Sequence, residues 1–92
     1  MEYGLIGARL GHSFSREIHS QLSQDPYELR ELVPEELPAF LKAREFKGVN
    51  VTIPYKRMVQ HWLDELDDSA RFTGAVNTIV NKGGKLIGYN TD

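Results

Sequence analysis

The stretch from Val49 to Lys56 constrains this chain most, because a strand pattern stops there at a proline that is followed almost at once by a lysine. Apolar and polar residues alternate from Val49 to Ile53 with the period of two that is typical of a β-strand. Pro54 has no N–H to donate to a neighbouring strand and ends the pattern. The apolar spacing then becomes helical, so a helix with Lys56 in its first turn is predicted. Its apolar positions are Tyr55, Val59, Trp62, Leu63 and Leu66.

Lys56 is an unexpected residue for the first turn of a helix. The N-terminus of a helix carries partial positive charge, so a cation there is slightly unfavourable and is not required by the fold. A lysine near positive charge or in a partly buried place releases its proton more readily, which suits a group that exchanges protons. The alternative is a solvated lysine at a helix end.

Size and charge exclude several classes of function. The chain has 92 residues, a net charge of −2 and no cysteine. This length corresponds to one domain. Neither a nucleic acid nor a membrane surface is indicated as a partner, since the basic residues are scattered along the chain. The lack of cysteine fits a reducing compartment, so cytoplasm is expected. No apolar run is long enough for a membrane span, and the histidine spacing does not indicate a metal site.

The N-terminal third predicts a strand, a loop and a helix. Residues 3–6 read as a short buried strand. Ser13 stands at the expected N-cap of the next helix, and Ser15 falls in its first turn. Two hydroxyls and the free N–H groups of a helix N-terminus form a cup suited to a carboxylate. The alternative is that Ser13 is only a helix cap.

A second strand and a second helix follow. Tyr27–Val33 alternates charged and apolar residues, which predicts a strand near an edge of the sheet. Pro34 and two acidic residues then open a helix. Pro38 would forfeit a hydrogen bond inside that helix, so either its first turn is irregular or the regular helix begins at Pro38.

The C-terminal third predicts a short helix and a β-hairpin. The helix over 67–72 is stopped by Gly74, and two strands flank a turn at Gly83 and Gly84. Asn77 interrupts the first of these strands. Asparagine is depleted in strands and costly to bury without partners, so this position hints at a functional task. The alternative is an asparagine that faces solvent.

Three separated motifs in this order resemble shikimate dehydrogenase, and they cover nearly the whole chain. The resemblance is to the N-terminal, substrate-binding half of that family, so residues 1–92 are expected to form a substrate-binding domain. The family's cofactor-binding Rossmann domain, which follows, is not within these residues. The motifs are His12-Ser13-Phe14-Ser15, Asn50 to Lys56, and Gly74-Ala75-Val76-Asn77-Thr78 with Gly88-Tyr89-Asn90-Thr91-Asp92.

The resemblance implies a role for each matching residue. Ser13 and Ser15 match the serines that hold the substrate carboxylate. Thr52 and Asn77 match residues that bind ring hydroxyls. Asp68 matches an acidic position near the cofactor. The catalytic pair implied by the resemblance is Lys56 and Asp92, both of which also contact the substrate.

The resemblance also implies an activity, the reversible reduction of 3-dehydroshikimate to shikimate with NADPH. Hydride transfer to the keto group leaves an oxygen that needs a proton, which a lysine can supply. NADP would be held mainly by the following domain, so this fragment alone is expected to be inactive. The expected fold is a three-layer α/β/α unit with a mainly parallel sheet and one antiparallel hairpin strand. Two alternatives stay open: a stand-alone, non-catalytic binder of a small polyhydroxy acid, and a broader quinate/shikimate dehydrogenase.

Overall fold

The computed structural model describes residues 2–8 and 27–91. The helix predicted after Ser13, the side chain of Ser15 and the C-terminal Asp92 lie outside these residues. The statements below concern the described part of the chain.

The described residues form one mixed sheet of six strands in the order β2-β1-β3-β5-β6-β4. β1 pairs in parallel with both β2 and β3, and β4 pairs in parallel with β6. β5 is antiparallel to both of its neighbours, β3 and β6. The prediction of a mainly parallel α/β sheet with one antiparallel hairpin strand is therefore confirmed. The strands are β1 Tyr3–Gly7, β2 Tyr27–Glu31, β3 Gly48–Val51, β4 Glu65–Leu66, β5 Thr78–Lys82 and β6 Lys85–Tyr89.

Two α-helices and two 3-10 helices connect the described strands. A 3-10 turn at Pro34–Glu36 leads directly into helix α1, Leu37–Ala43, so the first turn is irregular because of the two prolines. Helix α2, Asp68–Thr73, begins after Asp67 and ends at Gly74. Gly74 has φ 71°, a left-handed conformation that glycine adopts without strain. The second 3-10 helix is Met58–Trp62. No described helix is long and apolar enough to span a bilayer.

The strand predicted up to Ile53 ends earlier. β3 stops at Val51, and Ile53 is 73% exposed instead of sharing the buried face of Val49 and Val51. The backbone reverses direction after Thr52, in a turn that includes the cis peptide bond between Ile53 and Pro54. The alternation of residue types continues for two residues beyond the strand itself.

The long helix predicted from Tyr55 to Leu66 is wrong. Only the five-residue 3-10 helix forms, and Leu66 lies in the short strand β4. The apolar residues of this stretch are buried on different surfaces: Tyr55 and Val59 lie in the main core, while Leu63 and Leu66 pack against β6. Gly88 of β6 leaves the room for this packing: a Cβ there would lie 2.7 Å from Leu63 and 3.1 Å from Leu66.

One face of the sheet carries the hydrophobic core. Ile6, Val49, Val51 and Ile79 come from neighbouring strands and share this face. Leu86 of β6 also lies on this face. The buried residues that pack with these strand residues come from the helices and connections, and they are Leu32, Leu37, Leu41, Phe46, Tyr55, Val59, Ala70 and Val76. The opposite face carries Leu5 with the polar side chains of Asn50 and Thr78, as the strand register requires.

Candidate functional site

Three of the predicted substrate-binding residues lie at the same end of the sheet. Strands β1, β2, β3, β4 and β6 run in one direction, and we call the end at which they finish the carboxyl end of the sheet. Thr52 and Lys56 follow β3 at this end. Asn77 precedes β5, which runs the other way and therefore begins here. In open α/β sheets this is the end at which ligands bind.

Backbone hydrogen bonds hold these segments together. The N–H of Val51 donates to the carbonyl of Asn77 at 2.8 Å, and the N–H of Val76 donates to the carbonyl of Lys56 at 2.7 Å. The N–H of Asn77 donates to the carbonyl of Tyr89 at 3.0 Å. The residues after β3, before β5 and after β6 thus form one connected layer, although they are far apart in sequence.

Asn77 is half-buried and is tied by its side chain to the segment after β6. Its Oδ1 accepts hydrogen bonds from the hydroxyl of Thr78 at 3.0 Å and from the N–H of Thr91 at 3.1 Å. Its Nδ2 donates to the hydroxyl of Thr91 at 3.0 Å. The amide is therefore oriented by three contacts. The expectation that Asn77 lies within a strand is wrong, since β5 begins at Thr78.

Helix α2 makes hydrogen bonds to Asn90, which lies between β6 and Thr91. The backbone N–H of Asn90 donates to the hydroxyl of Ser69 at 3.0 Å, and its Nδ2 donates to the hydroxyl of Thr73 at 2.9 Å. Ser69 in turn donates to the N-cap carboxylate of Asp67, and this hydroxyl is the main reason why the pKa of Asp67 lies below its ordinary value. The segment leading to Asp92 is therefore bonded to Asn77 through Thr91 and to helix α2 through Asn90.

Lys56 is half-buried but does not lie in the first turn of a helix. It stands in a turn two residues before the 3-10 helix, which begins at Met58. The expectation based on the field of a helix N-terminus is therefore wrong for this lysine. Its position at the carboxyl end depends on β3 and on the bond from Val76 to its carbonyl.

Asp68 occupies the first turn of α2, at the same end of the sheet. Its side chain is 99% exposed and lies 3.8 Å from the guanidinium of Arg71. Its predicted role beside a cofactor stays a prediction. Ser13, Ser15 and Asp92 lie outside the described residues, so their predicted contacts stay predictions as well.

The sequence analysis assigned no role to four polar residues that make hydrogen bonds at this site. Asn50 and Thr78 lie on the exposed face of β3 and β5, while Asn90 and Thr91 follow β6. In the sequence Asn50 is the polar position of an alternating strand and the first residue of a motif, and neither feature assigns it a role. Its hydrogen bond to the hydroxyl of Thr78 at 3.2 Å depends on the pairing of β3 with β5, which alternation alone does not reveal.

The arrangement is that of a small-molecule-binding α/β domain: hydroxyl, amide and ammonium groups gathered beyond the strands of an open sheet. Among the described residues no three acidic or histidine side chains come close enough to hold a metal ion. Polar groups of this kind are suited to a ligand rich in oxygen atoms.

Comparison with known families identifies the domain more closely. Residues 5–79 match the family model of the shikimate dehydrogenase substrate binding domain, and the chain belongs to this family. A shikimate dehydrogenase (NADP(+)) of Halothermothrix orenii is 50% identical across 97% of this chain. The chain covers 34% of that protein, so it spans about a third of its relative's length.

Solved structures give the same result for the fold. Shikimate 5-dehydrogenase from Thermus thermophilus, in complex with shikimate, is 35% identical to this chain, with a TM-score of 0.86. The match covers 99% of this chain and 38% of that protein. A ligand-free 5-ketofructose reductase of Gluconobacter sp. strain CHM43 is 28% identical and matches 99% of this chain with a TM-score of 0.82, over 36% of its own length.

Proposed function

We propose that residues 1–92 are the substrate-binding domain of an NADP-dependent shikimate dehydrogenase, which reversibly reduces 3-dehydroshikimate to shikimate. The observation that carries this proposal is the meeting of Thr52, Lys56 and Asn77 at the carboxyl end of a sheet whose family has shikimate-bound members. Shikimate carries one carboxylate and three ring hydroxyls, and this end of the domain offers hydroxyl, amide and ammonium groups.

Each residue has a distinct role in this proposal. Thr52 and Asn77 bind ring hydroxyls, and Ser13 and Ser15 bind the carboxylate. In the reduction, NADPH supplies a hydride to the keto carbon. Lys56 gives a proton to the oxygen of that carbonyl group and becomes a neutral amine, and in the oxidation it takes the proton back. Asp92 favours the charged form of the lysine and binds a neighbouring hydroxyl.

The residues assigned to this site are not suited to the phosphates of NADP. Asp68 is the residue proposed to lie near the cofactor, and a carboxylate repels a phosphate group. The loop after β1 has neither the spacing of the dinucleotide fingerprint nor that of a P-loop. We therefore propose that the cofactor is held mainly by the two thirds of the relatives' length that this chain does not match.

The test compares the intact protein that carries this domain with the 92-residue chain. The intact protein is expected to reduce NADP with shikimate in an absorbance assay. Quinate with NADP, and 5-ketofructose with NADPH, serve as alternative substrates. The 92-residue chain is expected to bind shikimate weakly by calorimetry and to show no turnover. If the intact protein turned over neither shikimate nor quinate, the enzyme proposal would be contradicted. Turnover by the 92-residue chain would contradict the proposal that the cofactor is held mainly outside these residues.

Two variants of the intact protein test the assignment of roles. Ser15→Ala removes one hydroxyl contact to the carboxylate and is expected mostly to raise KM, by about 1 to 3 kcal/mol in binding free energy. Asp92→Asn is expected to lower the rate and to move the alkaline limb of the pH–rate profile to lower pH. In a double-mutant cycle with Lys56→Ala the effects of Asp92→Asn should be clearly non-additive, and strict additivity would reject the pair.

A further inference from the structure

A row of hydrogen bonds crosses the polar face of the sheet and ends at Asn77. The hydroxyl of Tyr27 on β2 donates to Oδ1 of Asn50 on β3 at 2.8 Å. Nδ2 of Asn50 donates to the hydroxyl of Thr78 on β5 at 3.2 Å, and this hydroxyl donates to Oδ1 of Asn77 at 3.0 Å. All three bonds point the same way, from the edge strand towards the candidate site. Hydrogen bonds aligned in this manner strengthen one another.

The direction of the row is determined by its first member. Burial raises the pKa of the Tyr27 phenol above its ordinary value, so this hydroxyl keeps its proton and acts as a donor throughout the neutral range. The carbonyl oxygen of Asn50 is then its acceptor, and the amide nitrogen of Asn50 faces Thr78. Because the oxygen of Thr78 accepts that bond, its single hydrogen is left to donate to Asn77.

The row and the contacts with Thr91 together determine what Asn77 offers to a ligand. Its Oδ1 already accepts two hydrogen bonds, one from Thr78 and one from the backbone of Thr91, and these use both lone pairs. One hydrogen of Nδ2 goes to the hydroxyl of Thr91. The other amide hydrogen has no acceptor within residues 2–8 and 27–91. Asn77 can therefore contact a ligand only as a donor.

We propose that Thr78 is a positioning residue for substrate binding: its hydroxyl holds the amide of Asn77 so that an N–H, and not the carbonyl oxygen, is presented to the ligand. The inference rests on the proposed function of the site. The ligand atom facing Asn77 must then accept a hydrogen bond, as a hydroxyl or keto oxygen does. An ammonium at that position would be rejected, because it has only donors.

The first test uses Thr78→Val and Thr78→Ser in the intact protein. Valine keeps the shape and removes the hydroxyl, so KM for shikimate is expected to rise about tenfold with kcat changed less than about threefold. Serine keeps the hydroxyl and is expected to restore KM to within about threefold of the wild-type value. An unchanged KM in Thr78→Val, or no restoration in Thr78→Ser, would overturn the proposal.

Deoxy analogues of shikimate separate positioning from a general loss of structure. Each ring hydroxyl of shikimate is removed in turn, and the binding of each analogue to the wild type and to Thr78→Val is measured by calorimetry. The penalty of the valine variant should vanish for the one analogue that lacks the hydroxyl facing Asn77. An equal penalty for all analogues would mean that the variant damages the site as a whole, which contradicts the proposal.

A measurement without ligand keeps the inference separate from the proposed function. In ¹⁵N NMR spectra of the intact protein, the side-chain amide hydrogens of Asn77 should exchange with solvent more slowly in the wild type than in Thr78→Val. Equal exchange would overturn the positioning role even if the protein turned over shikimate. If the exchange differs but shikimate is not bound, the positioning stands and the proposed function fails.

Discussion

Asn81 and Asn77 lie at opposite ends of β5, and their amides are used differently. Nδ2 of Asn81 donates to the carbonyls of Arg44 and Phe46 at 3.0 and 2.9 Å, and its Oδ1 accepts from the N–H of Gly84 at 2.8 Å. Both hydrogens of its amide nitrogen are thus used by the backbone. Asn77 bonds mainly to hydroxyls and keeps one hydrogen without an acceptor in the described chain.

The same contrast holds for the charged groups around the two asparagines. At the amino end, opposite to the carboxyl end, Arg44 donates to the carboxylate of Asp64 at 2.6 Å and to the carbonyl of Gly84. Asp64 also accepts the N–H of Leu86 at 2.8 Å. These two bonds, first the one from Arg44, hold the pKa of Asp64 below its ordinary value. The amino end joins the end of α1 to the hairpin turn.

The comparison shows how one sheet divides stability from function. At the amino end, Asn81 bonds to three backbone groups and Arg44 bonds to Asp64, so these side chains contribute to folding rather than to ligand binding. At the carboxyl end, Asn77 keeps one amide hydrogen without an acceptor among the described residues. We therefore expect substitutions at the carboxyl end to change activity with little loss of stability, and substitutions at the amino end to do the reverse.

The largest effect is expected for Lys56→Ala in the intact protein. If the lysine is the proton donor, kcat should fall roughly 10²- to 10⁴-fold with a smaller change in KM. Lys56→Arg is the matched control, because arginine keeps the positive charge but does not release its proton. Steady-state kinetics measure the effect on activity, and thermal melts measure the effect on stability. A change in KM alone, or full activity of Lys56→Arg, would show that the residue only binds.

Asn81→Ala is expected to be the largest change in stability at the amino end. It removes three hydrogen bonds to backbone groups. At about 1 kcal/mol each, the free energy of unfolding should fall by about 2 to 3 kcal/mol. Denaturant titration measures this loss. The kinetic constants of the folded protein should stay within a factor of about 2, so a selective rise in KM would break the proposed division.

A smaller effect with a defined pH dependence is expected for Asp64→Asn. Because folding lowers the pKa of Asp64, its charged form stabilises the protein above its ordinary pKa of 3.8, and this stabilisation is lost as the pH falls through the folded value. The difference in unfolding free energy between wild type and variant should therefore be largest near neutral pH and shrink between about pH 5 and pH 2. A difference that is independent of pH would contradict the assignment.

The smallest effect is expected for Lys85→Ala, which removes an ion pair to Glu65. The two charged atoms lie 2.6 Å apart, but both side chains are about half exposed, at 52% each. Water and salt screen such pairs, so we expect little change in melting temperature and none in kinetic constants. A loss comparable to that of Asn81→Ala would show that the ion pairs, rather than the asparagine, hold the amino end together.

The sequence by itself determined the elements whose signals are local. The hairpin turn needs two positive φ angles, 61° at Gly83 and 95° at Gly84, which glycine adopts without strain. The end of α2 at Gly74 and the irregular helix start at Pro34 follow from equally local chemistry. The motifs around Thr52 and Asn77 also identified the family, because a motif is a set of residue types at fixed positions and can be recognised without the fold.

Only the tertiary structure decided what depends on contacts between distant residues. The spacing of Val59, Leu63 and Leu66 fits a helix, but Val59 lies in a 3-10 helix and Leu66 in strand β4, and Leu63 and Leu66 pack against β6 at Gly88. Periodicity reports which side chains are buried and not which surface buries them. For the same reason the sequence did not reveal the bonds that orient Asn77: its partner Thr91 comes from the far end of β6, and pairing of strands brings the two together.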